Sequence, residues 1–183
     1  MGWGMQLFRR MTILMGVLLA ALATSPMALA GWQSALPEAH LLGTGDFRKF
    51  GFLIYTARLY TPASRLDDNA PFALELTYHR SIKRQALVDA SIDEIKRIQG
   101  SAVSTEQLQR WRDQMQQSFV DVEEGSRLTG VFLPGQGARF YVGDQLKGEI
   151  NDLPYAKAFF GIWLDPRSRD ADLRAQLLGA GKS

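Results

Sequence analysis

The sequence predicts an α+β protein in which helices cover one face of an antiparallel sheet. Runs rich in aromatic and β-branched residues, typical of strands, alternate in blocks with stretches whose apolar residues repeat at helical spacing. Three strands come first, two helices follow, and three more strands and two more helices complete the chain. Glycine and proline turns join the last three strands into an antiparallel meander that leads into a helix.

The first block of strands follows a lead-in that ends near Pro37. Ala39–Phe50 is expected to be extended, and Gly51 marks a turn or bulge. Phe52–Thr61 is the clearest strand, and because neither of its faces is wholly polar we expect it to be central and covered on both sides. Pro71–His79 is the third strand.

Two helices come next. Ser81–Ile98 repeats apolar residues at close to helical spacing, and Gly100 ends it. Ser104–Phe119 opens with Ser104 and has Gln107 three residues later, the pattern of a capping box. The apolar residues of this second helix are Leu108, Trp111, Met115 and Phe119. Their spacing is typical of a face that packs on a core rather than of a cofactor site.

The second block of strands comprises Leu128–Leu133, Ala138–Val142 and Gln145–Ile150. The first two are separated by Pro134–Gly137, and Gly143-Asp144 turns the chain into the third.

The helix after this meander can be capped by Asp152 and is stopped by Asp165-Pro166. Its apolar residues are Ala156, Phe159, Phe160 and Trp163. Their broad apolar face predicts a helix that lies on the sheet. Ser168 or Asp170 caps a last helix that runs through Leu178.

Residues 1–30 have the features of a secretory signal peptide. An arginine pair precedes the apolar run Met11–Leu22, and Ala28-Leu29-Ala30 fits the small-x-small rule before a cleavage point. The run is short for a membrane span, so an uncleaved membrane anchor is the less favoured alternative. We therefore expect cleavage after Ala30 and export to the periplasm or beyond, by general secretion rather than the twin-arginine route. Residues 31–183 then form one domain with no membrane span.

Charge and composition exclude several classes of function for residues 31–183. The whole chain has 21 basic and 19 acidic residues, and the leader contains two arginines and no acidic residue, so the mature domain has no formal net charge. Nucleic-acid binding is therefore not expected. The chain has no cysteine, which excludes disulfides and thiol chemistry. Its two histidines, His40 and His79, are on different predicted strands, and neither a metal nor another cofactor is expected.

The remaining candidates for a functional site are the few polar residues on the apolar strands. The candidates for a cleft between sheet and helices are Arg48, Tyr55, Thr56, Arg58, Tyr60, Tyr78 and Arg139. An arginine beside a tyrosine hydroxyl can hold a carboxylate through charge-assisted hydrogen bonds, and an apolar cavity around such a pair suits an amphiphilic acid. The alternative is that these residues are edge or surface groups with their apolar stems packed down, an interpretation favoured for Arg58 and Arg139.

Several segments resemble those of chalcone isomerase-like proteins, in particular the bacterial, exported branch. They are Leu42–Gly45 with Arg48, Phe52–Tyr60, Leu128–Val131, Pro134–Gly137 and Ala158–Pro166. The resemblance covers about Leu41–Gly179. It implies an open-faced β-sandwich, in which a large antiparallel sheet, a layer of helices and a ligand cleft between them make up the fold.

The resemblance also implies two kinds of site. In the plant enzymes an Arg and a Thr near the start of the fold help close a flavanone ring, assisted by Tyr and Asn from a helix. In the non-catalytic members an Arg and a Tyr at these places resemble a carboxylate clamp for fatty acids. The Arg carries over to Arg48, with a spacer one residue off the usual pattern, and the second position carries over to Tyr55. Ser81–Ile98 contains neither Tyr nor Asn.

We therefore expect an exported, non-catalytic protein that binds a small amphiphilic acid, such as a fatty acid, with Arg48 and Tyr55 at the head group. On this hypothesis Arg48→Ala loses the ligand. One alternative is an intramolecular lyase-type isomerase for a chalcone-like enone, with Arg48 as electrostatic stabiliser and Tyr55 or Thr56 standing in for the missing groups. The other is a structural or interaction module of the cell envelope whose cleft is filled by its own side chains.

Overall fold

The computed structural model describes residues 31–67 and 69–180, which contain six strands and four α-helices. The predicted signal peptide lies outside the described residues. The strands are β1 (His40–Lys49), β2 (Phe52–Thr61), β3 (Phe72–Tyr78), β4 (Arg127–Leu133), β5 (Gly137–Val142) and β6 (Gln145–Ile150). The helices are α1 (Arg84–Gln99), α2 (Thr105–Ser118), α3 (Leu153–Leu164) and α4 (Ala171–Leu177). Short 3₁₀ turns occupy Gly31–Ser34 and Gly100–Ala102. The predicted order of strands and helices is confirmed.

The six strands form one antiparallel sheet in which spatial order follows chain order, from β1 at one edge to β6 at the other. As predicted, Phe52–Thr61 is an internal strand with both faces at least partly covered. Ala57 and Leu59 are buried beneath the helices, and Tyr60 packs against Trp32 on the opposite face.

Within the described residues, none of the helices has the length and apolar character that crossing a membrane requires.

The first helix starts later than predicted, and the last helix is capped by one of its two predicted residues. The first helix begins at Arg84 rather than Ser81, because Ile82 pairs with Val122 in a short antiparallel bridge. The Arg84 amide donates to the Asp121 carboxylate, so this helix is capped from a distant loop. For the last helix, Asp170 is the capping residue, since its carboxylate accepts the Leu173 amide hydrogen bond.

Helices cover one face of the sheet, which we call the inner face, and the main core lies between the two layers. The opposite, outer face is not bare, since the segment after residue 30 packs on it. Trp32 and Leu36 are buried there against Ala73, Val131 and Tyr141. The outer face therefore has a small apolar core of its own.

The Gly43-x-Gly45 pair in β1 is a packing feature. A Cβ atom on Gly43 would lie within 2.2 Å of the Gln176 carbonyl oxygen, and one on Gly45 would collide with the Leu173 and Gln176 side chains. Helix α4 therefore lies directly on the β1 backbone, at a distance that any other residue at these positions would prevent.

Candidate functional site

A cavity of about 370 Å³ lies on the inner face, between β1–β4 on one side and α1, α3 and α4 on the other. Its floor is buried and apolar, and consists of Leu76, Tyr78, Phe119, Leu128 and Phe159. Half-buried residues form its walls, among them Phe47, Ile54, Tyr55, Leu87 and Ile162. It reaches the surface at a rim of exposed residues, Lys49, Ala86, Ala90 and Arg169. The arrangement is that of an apolar pocket with a polar mouth.

Small side chains on α1 leave this space open. Ala86, Ala90 and Ser91 face the cavity from α1, where longer apolar side chains would fill it. A second hollow of about 230 Å³ lies near Phe72, Leu66 and Phe160.

Two of the predicted site residues, Tyr55 and Tyr78, line the cavity and lie next to each other on paired strands. The Tyr55 ring stacks on Phe47 at 4.9 Å between centroids, and its hydroxyl oxygen accepts a 3.0 Å hydrogen bond from Trp163 Nε1. Tyr78 is only 3% exposed, and the structure gives its hydroxyl no hydrogen-bond partner among the described residues. Burial raises the pKa of both phenols well above the usual range, so both remain neutral hydrogen-bond donors at physiological pH.

The other two predicted residues, Arg48 and Thr56, lie on the outer face, and this corrects the proposed Arg48–Tyr55 clamp. Thr56 Oγ1 donates to Asp46 Oδ1 at 2.8 Å and lies 3.0 Å from His79 Nε2. The Arg48 guanidinium is 56% exposed and lies 3.5 Å from Asp46. Three further polar candidates, Arg58, Tyr60 and Arg139, are on the outer face as well.

The physical reason is the alternation of side chains along a strand. Phe47 and Lys49 face the cavity. Asp46 precedes Phe47 and Arg48 lies between Phe47 and Lys49, so both face the opposite side of the sheet. A spacer one residue off the family pattern is enough to transfer a side chain from one face of a sheet to the other. Lys49, rather than Arg48, is the basic residue of β1 that lies beside the cavity, and the sequence analysis did not name it. Lys49 is two residues after Phe47, and this period of two places both side chains on the same face of the strand.

Four charged residues line the mouth of the cavity, and three of them have partners within the protein. Glu94 accepts from Arg169 at 2.7 Å and from Arg97 at 2.8 Å, and Asp170 caps α4. The Lys49 ammonium has no ion-pair partner in the described part of the chain, where it lies 5.8 Å from the centre of the Phe50 ring. Lys49 is therefore the cation at this mouth that is available to an anionic ligand.

Metal binding has no candidate site in residues 31–67 and 69–180, where no three His, Asp or Glu side chains are grouped closely enough to hold an ion. The Nε2 atom of His79 contacts Thr56 on the outer face, and His40 starts β1 at the far end of that strand.

Comparison with known proteins shows the family. The chain matches the sequence model described as chalcone isomerase-like over residues 33–179. It is 30% identical over 160 residues to an uncharacterized protein of Haemophilus influenzae, which covers 86% of this chain and 77% of that protein. A fatty-acid binding protein of Arabidopsis thaliana has a similar solved structure, with a TM-score of 0.59 and 13% identity, over 78% of this chain and 88% of that one.

At 13% identity the structural likeness shows the fold, and it confirms the predicted sheet with a covering layer of helices. The sequence match covers most of the described residues and confirms the resemblance drawn from the motifs. The chain therefore belongs to the chalcone isomerase-like family.

Proposed function

We propose that this protein binds an amphiphilic acid, such as a fatty acid, in the cavity beneath α1. The observation that carries the proposal is an apolar cavity of about 370 Å³ whose mouth holds Lys49, a cation with no ion-pair partner among residues 31–67 and 69–180. Binding sites for small molecules commonly occupy about 300–1,000 Å³ and combine apolar walls with a few polar groups. The Arabidopsis thaliana protein of similar fold is a fatty-acid binding protein, which supports the same ligand class.

Lys49 is the residue we assign to the carboxylate. Arg169 also lies at the mouth, but its guanidinium is held by Glu94. Inside the cavity the Tyr55 oxygen accepts from Trp163, which leaves its own proton available to a ligand oxygen. The acyl chain would then lie between the aromatic side chains of β2 and β3 and the small side chains of α1.

Neighbouring residues Lys49 and Arg48 provide a matched test, since they lie on opposite faces of β1. Lys49→Ala should weaken laurate binding about two- to fivefold, the effect of one exposed ion pair, and leave dodecanol binding unchanged. Arg48→Ala should change neither, contrary to the expectation from resemblance alone. Displacement of a fluorescent fatty acid measures both affinities.

Ligand extraction tests the proposal itself. The exported protein should yield an acidic lipid in organic extracts analysed by mass spectrometry. Absence of any lipid, together with no binding of added laurate or palmitate, would disprove it. Loss of binding in Arg48→Ala but not in Lys49→Ala would instead show that the head-group assignment is wrong.

The isomerase alternative gains no support from the geometry. It requires Arg48 beside the substrate, with Tyr55 or Thr56 assisting, whereas Arg48 and Thr56 point away from the cavity. Addition of the protein to a chalcone solution should leave the rate of absorbance loss at its buffer value. The envelope-module alternative calls for a cleft closed by its own side chains, and the exposed rim at Ala86 and Ala90 does not favour it.

Export to the periplasm is part of the same proposal. Its support is the sequence pattern of residues 1–30, together with the burial of Trp32 only two residues after the expected cleavage point. The protein recovered from the periplasmic fraction should begin at Gly31 when its N-terminus is sequenced. An intact Met1 terminus on the protein recovered from cells would contradict this.

A further inference from the structure

The turn between β1 and β2 presents two aromatic side chains to solvent. Phe50 is 90% exposed and Phe52 is 58% exposed, whereas phenylalanine is among the residue types most often buried. Both belong to the short segment Lys49–Phe52, which we call the aromatic turn. The turn is adjacent to the cavity, because Lys49 also belongs to the cavity rim.

The backbone of the aromatic turn indicates that folding alone does not explain Phe50. Its φ of 52° is positive, which is true of no other non-glycine residue in the described part of the chain. A bulky side chain is disfavoured in this left-handed region, where glycine or asparagine is the usual choice. A residue that strains the backbone and is almost wholly exposed gains little in the isolated fold beyond its position 5.8 Å from the Lys49 ammonium. Its ring is therefore available for a contact outside the chain.

Cations surround these two rings. The Arg80 guanidinium lies 4.8 Å from the centre of the Phe52 ring, and the Lys49 ammonium lies 5.8 Å from that of Phe50. Arg48 adds a third positive charge, which is opposed by Asp46 at 3.5 Å. The acidic pair Glu123–Glu124 lies on the link before β4, on the other side of β3. The turn itself thus combines exposed aromatic rings with an excess of positive charge.

We propose that the aromatic turn docks the protein on the surface of an anionic phospholipid bilayer. Aromatic rings enter the interfacial region of a bilayer, and lysine and arginine beside them attract anionic head groups. In this orientation the rim at Lys49 faces the lipid, so an acyl chain can pass between bilayer and cavity without crossing bulk water. The docking itself does not depend on the identity of the cavity's ligand.

The test is co-sedimentation of the exported protein, with its N-terminus verified at Gly31, with vesicles. Vesicles of phosphatidylglycerol and phosphatidylethanolamine should bind the protein, and vesicles of phosphatidylcholine should bind it much more weakly. Raising the salt concentration should weaken the binding to anionic vesicles, because surface charges are screened. No sedimentation with anionic vesicles at low salt would overturn the proposal.

Phe50→Asn is the decisive variant, because asparagine tolerates the left-handed backbone and the protein should remain folded. Loss of the ring should weaken binding to anionic vesicles about tenfold or more. Arg80→Gln should weaken it about fivefold, the effect of one charge near an anionic surface. The control is Leu146→Asn on β6, where an exposed leucine (49%) lies at the opposite edge of the sheet, and it should bind like the parent protein.

Unchanged vesicle binding in Phe50→Asn would overturn the proposal, as would an equal loss in Leu146→Asn. Capture of a protein partner by the turn, without any vesicle binding, would assign the turn to that partner and overturn it too. Laurate binding in solution separates this proposal from the preceding one, because Phe50→Asn should leave it unchanged. Vesicle binding therefore tests the docking of the aromatic turn, and laurate binding separately tests the proposed function of the cavity.

Discussion

The layer between sheet and helices has two halves that use similar residues in opposite ways. Beneath α2 and α3, four rings pack together, with Phe140 at 5.0 Å from Phe119, 5.2 Å from Phe159 and 6.3 Å from Tyr155. Phe119 and Phe159 also border the cavity. Beneath α1 and α4, aromatic residues such as Phe47 line a cavity instead. We call these the packed half and the open half.

The helices explain this difference. Helix α3 presents large rings to the sheet, including Phe159 and Phe160, whereas α1 presents Ala86, Ala90 and Ser91 to the cavity. Because the cost of empty space grows with its volume, the open half lowers stability, and the packed half must compensate for it. The comparison predicts that stability and ligand binding can be changed separately.

The largest effect is expected from an identical truncation made in each half. Phe140→Ala removes a fully buried ring that contacts three others, and should lower the free energy of unfolding by about 3–5 kcal/mol. Phe47→Ala removes a half-buried ring at the cavity wall, and should cost about 1–2 kcal/mol. Urea unfolding followed by far-UV circular dichroism measures both. Equal losses would show that the two halves do not differ in packing.

The next effect concerns α4, which closes one side of the open half. Gly43→Ala places a methyl group against the α4 backbone and should cost about 1–3 kcal/mol, since neither backbone can easily move away. Gly161→Ala is the control, because a Cβ there meets nothing closer than 3.7 Å and alanine favours the helix. Thermal unfolding should separate the two variants, and an unchanged melting temperature in Gly43→Ala would contradict the direct contact of α4 with β1.

These two halves also differ in how far the sequence predicts them. Strand and helix order follows from periodicity, capping residues and turns, and the apolar stripes of α2 and α3 correctly predict the packed half. The sequence does not predict the cavity. Its volume depends on how small residues such as Ala90 pack against strands that are far away in the chain. The choice between Arg48 and Lys49 depends on a single step of register, which resemblance with a shifted spacer does not determine.

Filling the open half should change binding more than stability. Ala90→Phe places a ring at the rim of the cavity and should lower laurate affinity about tenfold or more, with little effect on unfolding because residue 90 is exposed. Ala102→Phe, on the exposed turn after α1, is the matched control and should bind normally. Calorimetric titration with laurate gives both affinities. Undiminished binding in Ala90→Phe would place the ligand outside this cavity.

The smallest change in stability at neutral pH is expected from removing the Tyr78 hydroxyl of the open half. Tyr78→Phe removes a hydroxyl that makes no hydrogen bond among the described residues, so stability should change by less than about 0.5 kcal/mol. Tyr55→Phe should cost about 1 kcal/mol, because Trp163 Nε1 then loses its acceptor.

Alkaline pH should enlarge the effect of Tyr78. Burial raises the pKa of Tyr78 in the folded state above the value of about 10 expected for the unfolded chain. The unfolded state therefore releases this proton first, so the contribution of Tyr78 to stability is complete below pH 10 and is lost progressively as pH rises above it. Tyr78→Phe should lose less stability than the parent protein between about pH 9 and pH 11, since phenylalanine has no proton to release. Identical pH profiles in urea unfolding would mean that this hydroxyl is solvated in the cavity rather than isolated from water.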